Sequence, residues 1–169
     1  MSPHTDFGDA EFDELWWFIN GRKGCEHGVN AFIMTELSRI PRQIVSFDVA
    51  GAVASHAIGQ MAHTVPHFKR NHTDGGVAYC GVDFIGRHCR NVRDKSETHL
   101  IEGSNADIRC YIAGLQRRSR CFFRKFETLK AVLWVFINAY NKFGEWKHKQ
   151  RQRNPNRSRY YSNHHIHFI

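Results

Sequence analysis

Apolar residues in this chain recur first at strand spacing and then, from about residue 51, largely at helical spacing. Residues 12–20 (FDELWWFIN), 29–37 (VNAFIMTEL) and 43–50 (QIVSFDVA) are short, rich in aromatic and β-branched residues, and separated by turn signals. Such segments favour strands. The first connection, 21–28, holds three glycines among charges; the second contains Pro41, which a ladder would exclude. Three strands in succession predict an antiparallel meander. Residues 51–65 change period: Val53, Ala57, Ile58 and Met61 predict a short helix, weakened by Gly59 and ended by Pro66. A fourth strand is expected over 67–74, closed by the turn Thr73-Asp74-Gly75-Gly76. One helical turn within 77–85 and a fifth strand over 87–93 follow. In 98–120, Ile101, Ile108, Ile112 and Leu115 step by 7, 4 and 3, which is helical. The broadest apolar stripe, Phe126 to Phe143, predicts a helix over 122–143 with Gly144 as its stop. The first eleven residues read as a polar lead-in and 145–169 as a flexible basic tail.

The order is therefore strand, strand, strand, helix, strand, short helix, strand, helix, helix. It predicts an α/β domain with a mixed sheet of about five strands and flanking helices. At 169 residues the chain has room for one such core. Its net charge of +8 changes the picture. The excess lies mostly beyond residue 109, whereas the first fourteen residues are acidic. A basic excess of this kind favours a polyanionic partner, nucleic acid first and an anionic membrane surface second. No apolar run is long enough to span a membrane, and the N-terminus lacks the pattern of a signal peptide. Five cysteines, an odd number with no C-x-x-C, predict free thiols in a reducing cytoplasm.

Candidate chemistry centres on residues 98–120. Asn105 and Arg109 lie three and seven positions after Glu102, so a helix sets them on the side of its carboxylate. Arg117, Arg118, Arg120, Arg124 and Lys125 follow as a basic cluster suited to backbone phosphate, which gives affinity without sequence readout. Lys95 precedes Glu102 by seven residues and is a further candidate for gripping DNA. Taken alone, this helix is most simply a solvated amphipathic one. Two other acids alter that reading: Asp13 at the first strand and Asp74 at the tip of the fourth. If the first and fourth strands are neighbours, Asp13 and Asp74 face each other and a packed helix brings in Glu102. Three hard oxygen ligands suit Mg2+ or Mn2+. Trp16 and Trp17 read as core, His72 and His99 as ordinary polar histidines, and the His164-His165-Ile166-His167 cluster as an accident of the tail.

The segments FDELWWFI, NHTDGG and THLIEGSNADIRCYIAGLQRRSRCFFRKFETLKAVLWVFINAYNKFG together resemble transposases of the insertion-sequence-one family. The resemblance covers residues 12–144. It implies a DDE catalytic domain of the ribonuclease-H-like fold, with Asp13, Asp74 and Glu102 as catalytic metal ligands. It also implies DNA as substrate and a homo-oligomer that holds two DNA ends. Asp48 in SFDVA is the rival for the first acid; Asp13 is preferred because Asp48 falls on the third strand, an edge in this fold. Family members also carry a zinc-ribbon and helix-turn-helix region ahead of this domain, and an upstream reading frame is expected to supply it. Two alternatives remain open at this stage: a truncated, inactive DNA-binding remnant, and a ribonuclease-H-like nuclease.

Overall fold

The structure, a computed structural model, describes residues 7–21, 28–64, 67–92, 97–116 and 122–153. Five strands form one mixed sheet in the order β3-β2-β1-β4-β5. β1 (Phe7–Ile19), β2 (Val29–Ser38) and β3 (Gln43–Ala50) make the expected antiparallel meander. β4 (Phe68–Asp74) and β5 (Arg87–Asn91) add to the other side of β1, both parallel. α1 (Ser55–Thr64) covers one face; α2 (His99–Tyr111) and α3 (Phe126–Arg153) cover the other. A single 3-10 turn, Val77–Tyr79, stands where one helical turn was expected between β4 and β5. Among the described residues no helix is long and apolar enough to cross a membrane.

The central strand shows why the sheet is covered twice. Leu15, Trp17 and Ile19 alternate onto the α2/α3 face, while Ala10 and Phe12 point to the α1 face. On the first face they pack with Ile101, Ile108, Leu129 and Leu133; on the second with Ile58, Met61 and Tyr79. Trp17 is buried as expected, and its indole donates to the Gly114 carbonyl at 2.9 Å. Trp16 is half-buried, donating to Asn30 Oδ1 at 3.2 Å. Cys80, Cys89 and Cys110 are free thiols; Cys25 and Cys121 lie outside the described residues.

Three boundaries differ from expectation. The lead-in is too long by five residues, because β1 begins at Phe7 and pairs with β4 from there. Its acids Asp9 and Glu11 are compatible with a covered strand because Arg39 and Arg70 pair with them. The helix expected over 98–120 ends at Tyr111, with Ile112 extended and a 3-10 turn at Ala113–Leu115. Gly114 marks the reason: a Cβ there would come within 2.4 Å of the Phe123 ring, so the chain turns inward where only glycine fits. The last helix starts at Phe126 and runs through Gly144 to Arg153, so the tail is helical in its first part. An exposed glycine costs a helix about 1 kcal/mol, which slows but does not stop it. The histidine cluster at 164–167 lies outside the described residues.

One buried acid is unpaired in a way that has a measurable consequence. Glu36 on β2 is 1% exposed, in register with Phe12, and its Oε2 has no hydrogen-bond partner. Burial pushes its carboxyl up to about 8. Between the ordinary value of 4.5 and about 8, the folded chain keeps a proton that the unfolded chain releases, so stability falls as pH rises through this window. Glu36→Gln removes that loss. The expected gain is at most about 5 kcal/mol at pH 9 and close to none at pH 4, read by urea unfolding at both pH values. An equal effect at both would mean that the glutamate does not titrate in the fold.

Candidate active site

The site is built from one face of β1. Asp9, Glu11 and Asp13 occur at period two, so all three point toward α2. Glu11 is 0% exposed. Its Oε1 accepts from Arg39 Nε at 2.8 Å, and its Oε2 accepts from the Ile101 backbone N–H at 2.9 Å. Ile101 lies in the first turn of α2, where backbone donors lack intrahelical acceptors, and Thr98 makes no side-chain capping bond there. A carboxylate from a strand therefore caps the helix and meets the positive end of its dipole. Arg39 also reaches Glu97 Oε2 at 2.8 Å and Asp9 Oδ2 at 3.5 Å. Burial opposes ionisation of Asp9, but the bonds and charge of Arg70 hold its carboxyl below the usual range. His72 is buried between Asp9 at 3.4 Å and Glu97 at 3.7 Å.

With its start pinned, α2 lays Asn105 over Asp13. Asn105 Nδ2 donates to Asp13 Oδ2 at 2.9 Å, and its Oδ1 accepts from Thr35 Oγ1 at 3.0 Å. Asp74 arrives from β4. The β1–β4 register has a constant offset, 68 − 7 = 61 and 72 − 11 = 61, and 13 + 61 = 74. Continued by two residues, the ladder sets Asp74 beside Asp13 on the same face. Its Oδ1 accepts from the Gly76 N–H at 2.7 Å, which fixes the turn.

Asp13, Asp74, Glu102, Asn105 and Arg109 all line one cleft of about 670 Å³, together with Glu14 and Gln116. Five predicted site residues are thus brought together. Arg124 and Lys125 are exposed just ahead of α3 and are not among the cleft's lining residues. Lys95, Arg117, Arg118 and Arg120 lie outside the described residues. Asp48, the rival acid, sits on the edge strand β3 and pairs with Lys130 at 2.6 Å. The sequence did not single out Glu11, Glu14 or Tyr79. Glu14 reaches the cleft with one oxygen held by the Tyr79 hydroxyl at 2.6 Å. Glu11 was legible only as the middle member of an Asp-x-Glu-x-Asp alternation, visible once the strand is extended backward.

The cleft is acidic, with Asp13, Glu14, Asp74 and Glu102 all along its lining. Burial first, then the negative charges of Glu14 and Asp74, push the Asp13 carboxyl up to about 6, against the Asn105 bond. Hard carboxylate oxygens suit Mg2+ or Mn2+. Among the described residues no three His, Cys, Asp or Glu side chains are grouped closely enough to hold one ion. Asp13 and Asp74 are side by side, while Glu102 comes from an exposed position on α2. Compared with known proteins, the chain matches no family model and no curated protein.

Two outcomes follow. The folded chain retains the Asp13 proton between pH 3.8 and about 6, so this group's contribution to stability declines across that window. In EDTA, Asp13→Asn is expected to gain about 2 kcal/mol at pH 7 and nothing at pH 3.5, measured by urea unfolding. A loss at pH 7 would refute the charge crowding. Glu11→Ala, by contrast, strands Arg39 and the α2 N-terminus and is expected to cost about 3 kcal/mol. In a double-mutant cycle with Arg39→Ala, the pair should lose less than the sum of the singles; strict additivity would show that the two do not act together.

Proposed function

We propose that this chain is the catalytic domain of a DNA transposase of the insertion-sequence-one type. It cleaves a DNA strand at an element's end and joins the freed 3′-hydroxyl to a target phosphodiester. The observation that carries this reading is the cleft itself: two aspartates side by side on neighbouring parallel strands, with Glu102, Asn105 and Arg109 presented by one helix. The fold supports it. The ribonuclease-H-like arrangement expected of such a domain needs β1 and β4 as neighbours and β3 at an edge, and both conditions hold.

Asp13, Asp74 and Glu102 would hold Mg2+ or Mn2+. Bound there, the ions activate the attacking oxygen and stabilise the leaving one. The chain's own residues do the rest. Asn105 holds Asp13 in one orientation, since its two ends are committed to Thr35 and Asp13. The Gly76 N–H does the same for Asp74. Arg109 lines the cleft with a buried Nε that has no acceptor, a donor available to a phosphate oxygen. Positioning and charge neutralisation then supply the catalysis, with no covalent intermediate on the protein. Arg124 and Lys125, with Lys95, Arg117, Arg118 and Arg120, extend the phosphate contacts beyond the cleft.

Two DNA ends must be held at once, so the working form is a homo-oligomer on DNA. Trp134 and Val135, more than half exposed on the outer face of α3, offer apolar surface for it. A bacterial-type cytoplasm, at the nucleoid, is where this activity belongs.

The test is Mg2+- or Mn2+-dependent cleavage and strand transfer on DNA carrying the sequences that flank this reading frame. The chain is run alone and fused to the upstream frame, each beside Asp74→Asn. Cleavage and joining that disappear in Asp74→Asn support the transposase. Cleavage without joining would make it a nuclease, and salt-sensitive binding with no cleavage in any form would make it a DNA-binding remnant.

A further inference from the structure

With the β1–β4 register continued two residues past Glu11–His72, five residues fall on one row across the sheet: Phe47 on β3, Thr35 on β2, Asp13 on β1, Asp74 on β4 and Asn91 on β5. Registered neighbours share a face and lie about 4.8 Å apart. Thr35, Asp13 and Asp74 each take part in the hydrogen bonding around the cleft, through Asn105 and Gly76. Asn91 differs. Among the described residues, its side-chain Nδ2 is buried and has no acceptor. An amide donor left buried and unpaired costs about 1–3 kcal/mol, and native folds rarely tolerate one without a reason.

Its position is held. The next residue back, Arg90, donates from Nη2 to the Gly75 carbonyl at 2.6 Å, which ties the end of β5 to the turn after Asp74. Val92, one residue on, lies against Gly75. The orphan donor therefore stays beside Asp74, one strand out from the residues that line the cleft. Across the carboxylates, on α2, Arg109 Nε is also buried without an acceptor. Acids flanked on two sides by unsatisfied donors call for a ligand that presents anionic oxygens outward and accepts a cation between. A backbone phosphate has that form.

We propose that Asn91 is a substrate-binding residue: its side-chain amide donates to a non-bridging oxygen of a phosphodiester that enters the cleft past Asp74. The proposal rests on reading the cleft as a phosphodiester site. A neutral amide suits this position better than a basic side chain would. Lysine or arginine beside Asp74 would pair with it and compete with a cation, whereas asparagine contributes a donor and leaves the carboxylate's charge intact.

The experiment measures binding of a fluorescein-labelled DNA oligonucleotide to the full chain by anisotropy, in EDTA and in Ca2+. Wild type is compared with Asn91→Ala and the near-isosteric Asn91→Asp, which replaces the donor with an acceptor. Melting temperatures and Ca2+ affinity without DNA are recorded for each. Asn91→Ala should bind about tenfold more weakly, the loss expected for one hydrogen bond to a charged oxygen. Its salt slope should be unchanged, because no charge is removed. In EDTA, Asn91→Asp should bind more weakly still, since a carboxylate repels phosphate. Unchanged DNA affinity in Asn91→Ala would overturn the proposal, as would losses that merely follow a fall in melting temperature. Wild-type cleavage separates the two readings. If wild type cleaves and Asn91→Ala binds normally, only the Asn91 assignment falls. If wild type never cleaves yet the Asn91 effects appear, the phosphate contact stands and the transposase reading falls. No DNA binding by wild type would refute both.

Discussion

The bond between the Glu11 carboxylate and the Ile101 N–H fixes the rest of the site by geometry. A step of two residues along a strand is about 6.6 Å. A step of four along a helix is about 6 Å. When α2 lies along β1 in the same direction, joining residue 101 to residue 11 therefore brings residue 105 to residue 13. Both bonds are present, Ile101 to Glu11 and Asn105 to Asp13, each at 2.9 Å. Glu102 is carried beside them by the same helix turn, and Arg109 one turn further on. The cleft thus inherits its layout from a single capping contact and two matched repeats.

Three acids on one strand face carry three roles because their surroundings differ. Asp9 has Arg70 and Arg39 beside it and stays ionised below the usual range. Glu11 has an arginine and a helix N-terminus, which satisfy both oxygens without water. Asp13 meets Asn105 on one side and negative charge from Glu14 and Asp74 on the other. The charge excess therefore grows along β1 toward its cleft end. Burial and this crowding of like charge together raise the Asp13 carboxyl, whereas at Asp9 the bonds and charge of Arg70 offset burial.

The sequence made some of this legible and hid the rest for identifiable reasons. The strands of the meander and the two that follow were visible because hydrophobic period and turn chemistry mark them locally, whereas Asp13, Asp74 and Glu102 stood out as a set only through the resemblance to insertion-sequence-one transposases. The strand in residues 7–11 was not, because Asp9 and Glu11 look like solvent-exposed acids until Arg39, about thirty residues away, is packed against them. The end of α2 was hidden for the same kind of reason. Its cause is the Phe123 ring against Gly114, a tertiary contact that no helical period reports. Gly144 misled in the other direction, since a stop signal acts only when packing or a turn takes the chain elsewhere. Asn91 carried no local signal at all; its interest comes from register across two strand pairs.

Register is also what makes the site robust in one respect and fragile in another. Sixty-one residues separate Asp13 from Asp74 and include β2, β3, α1 and their connections. The distance that matters is nevertheless set by the β1–β4 ladder, whose offset is constant at 61 from Phe7 to Glu11. Lengthening a connection leaves that pairing alone, because loop closure costs little per added residue. A slip of one residue in β4 is different. It would turn Asp74 to the α1 face and bring Thr73 or Gly75 beside Asp13, with no carboxylate in the row. It would also move His72 away from Asp9 and Phe68 out of the α1 core. The buried contacts that hold β4 in place and the alignment of the two aspartates are therefore one constraint. The alignment at the cleft is protected by packing up to six residues away on the same strand, 74 − 68 = 6.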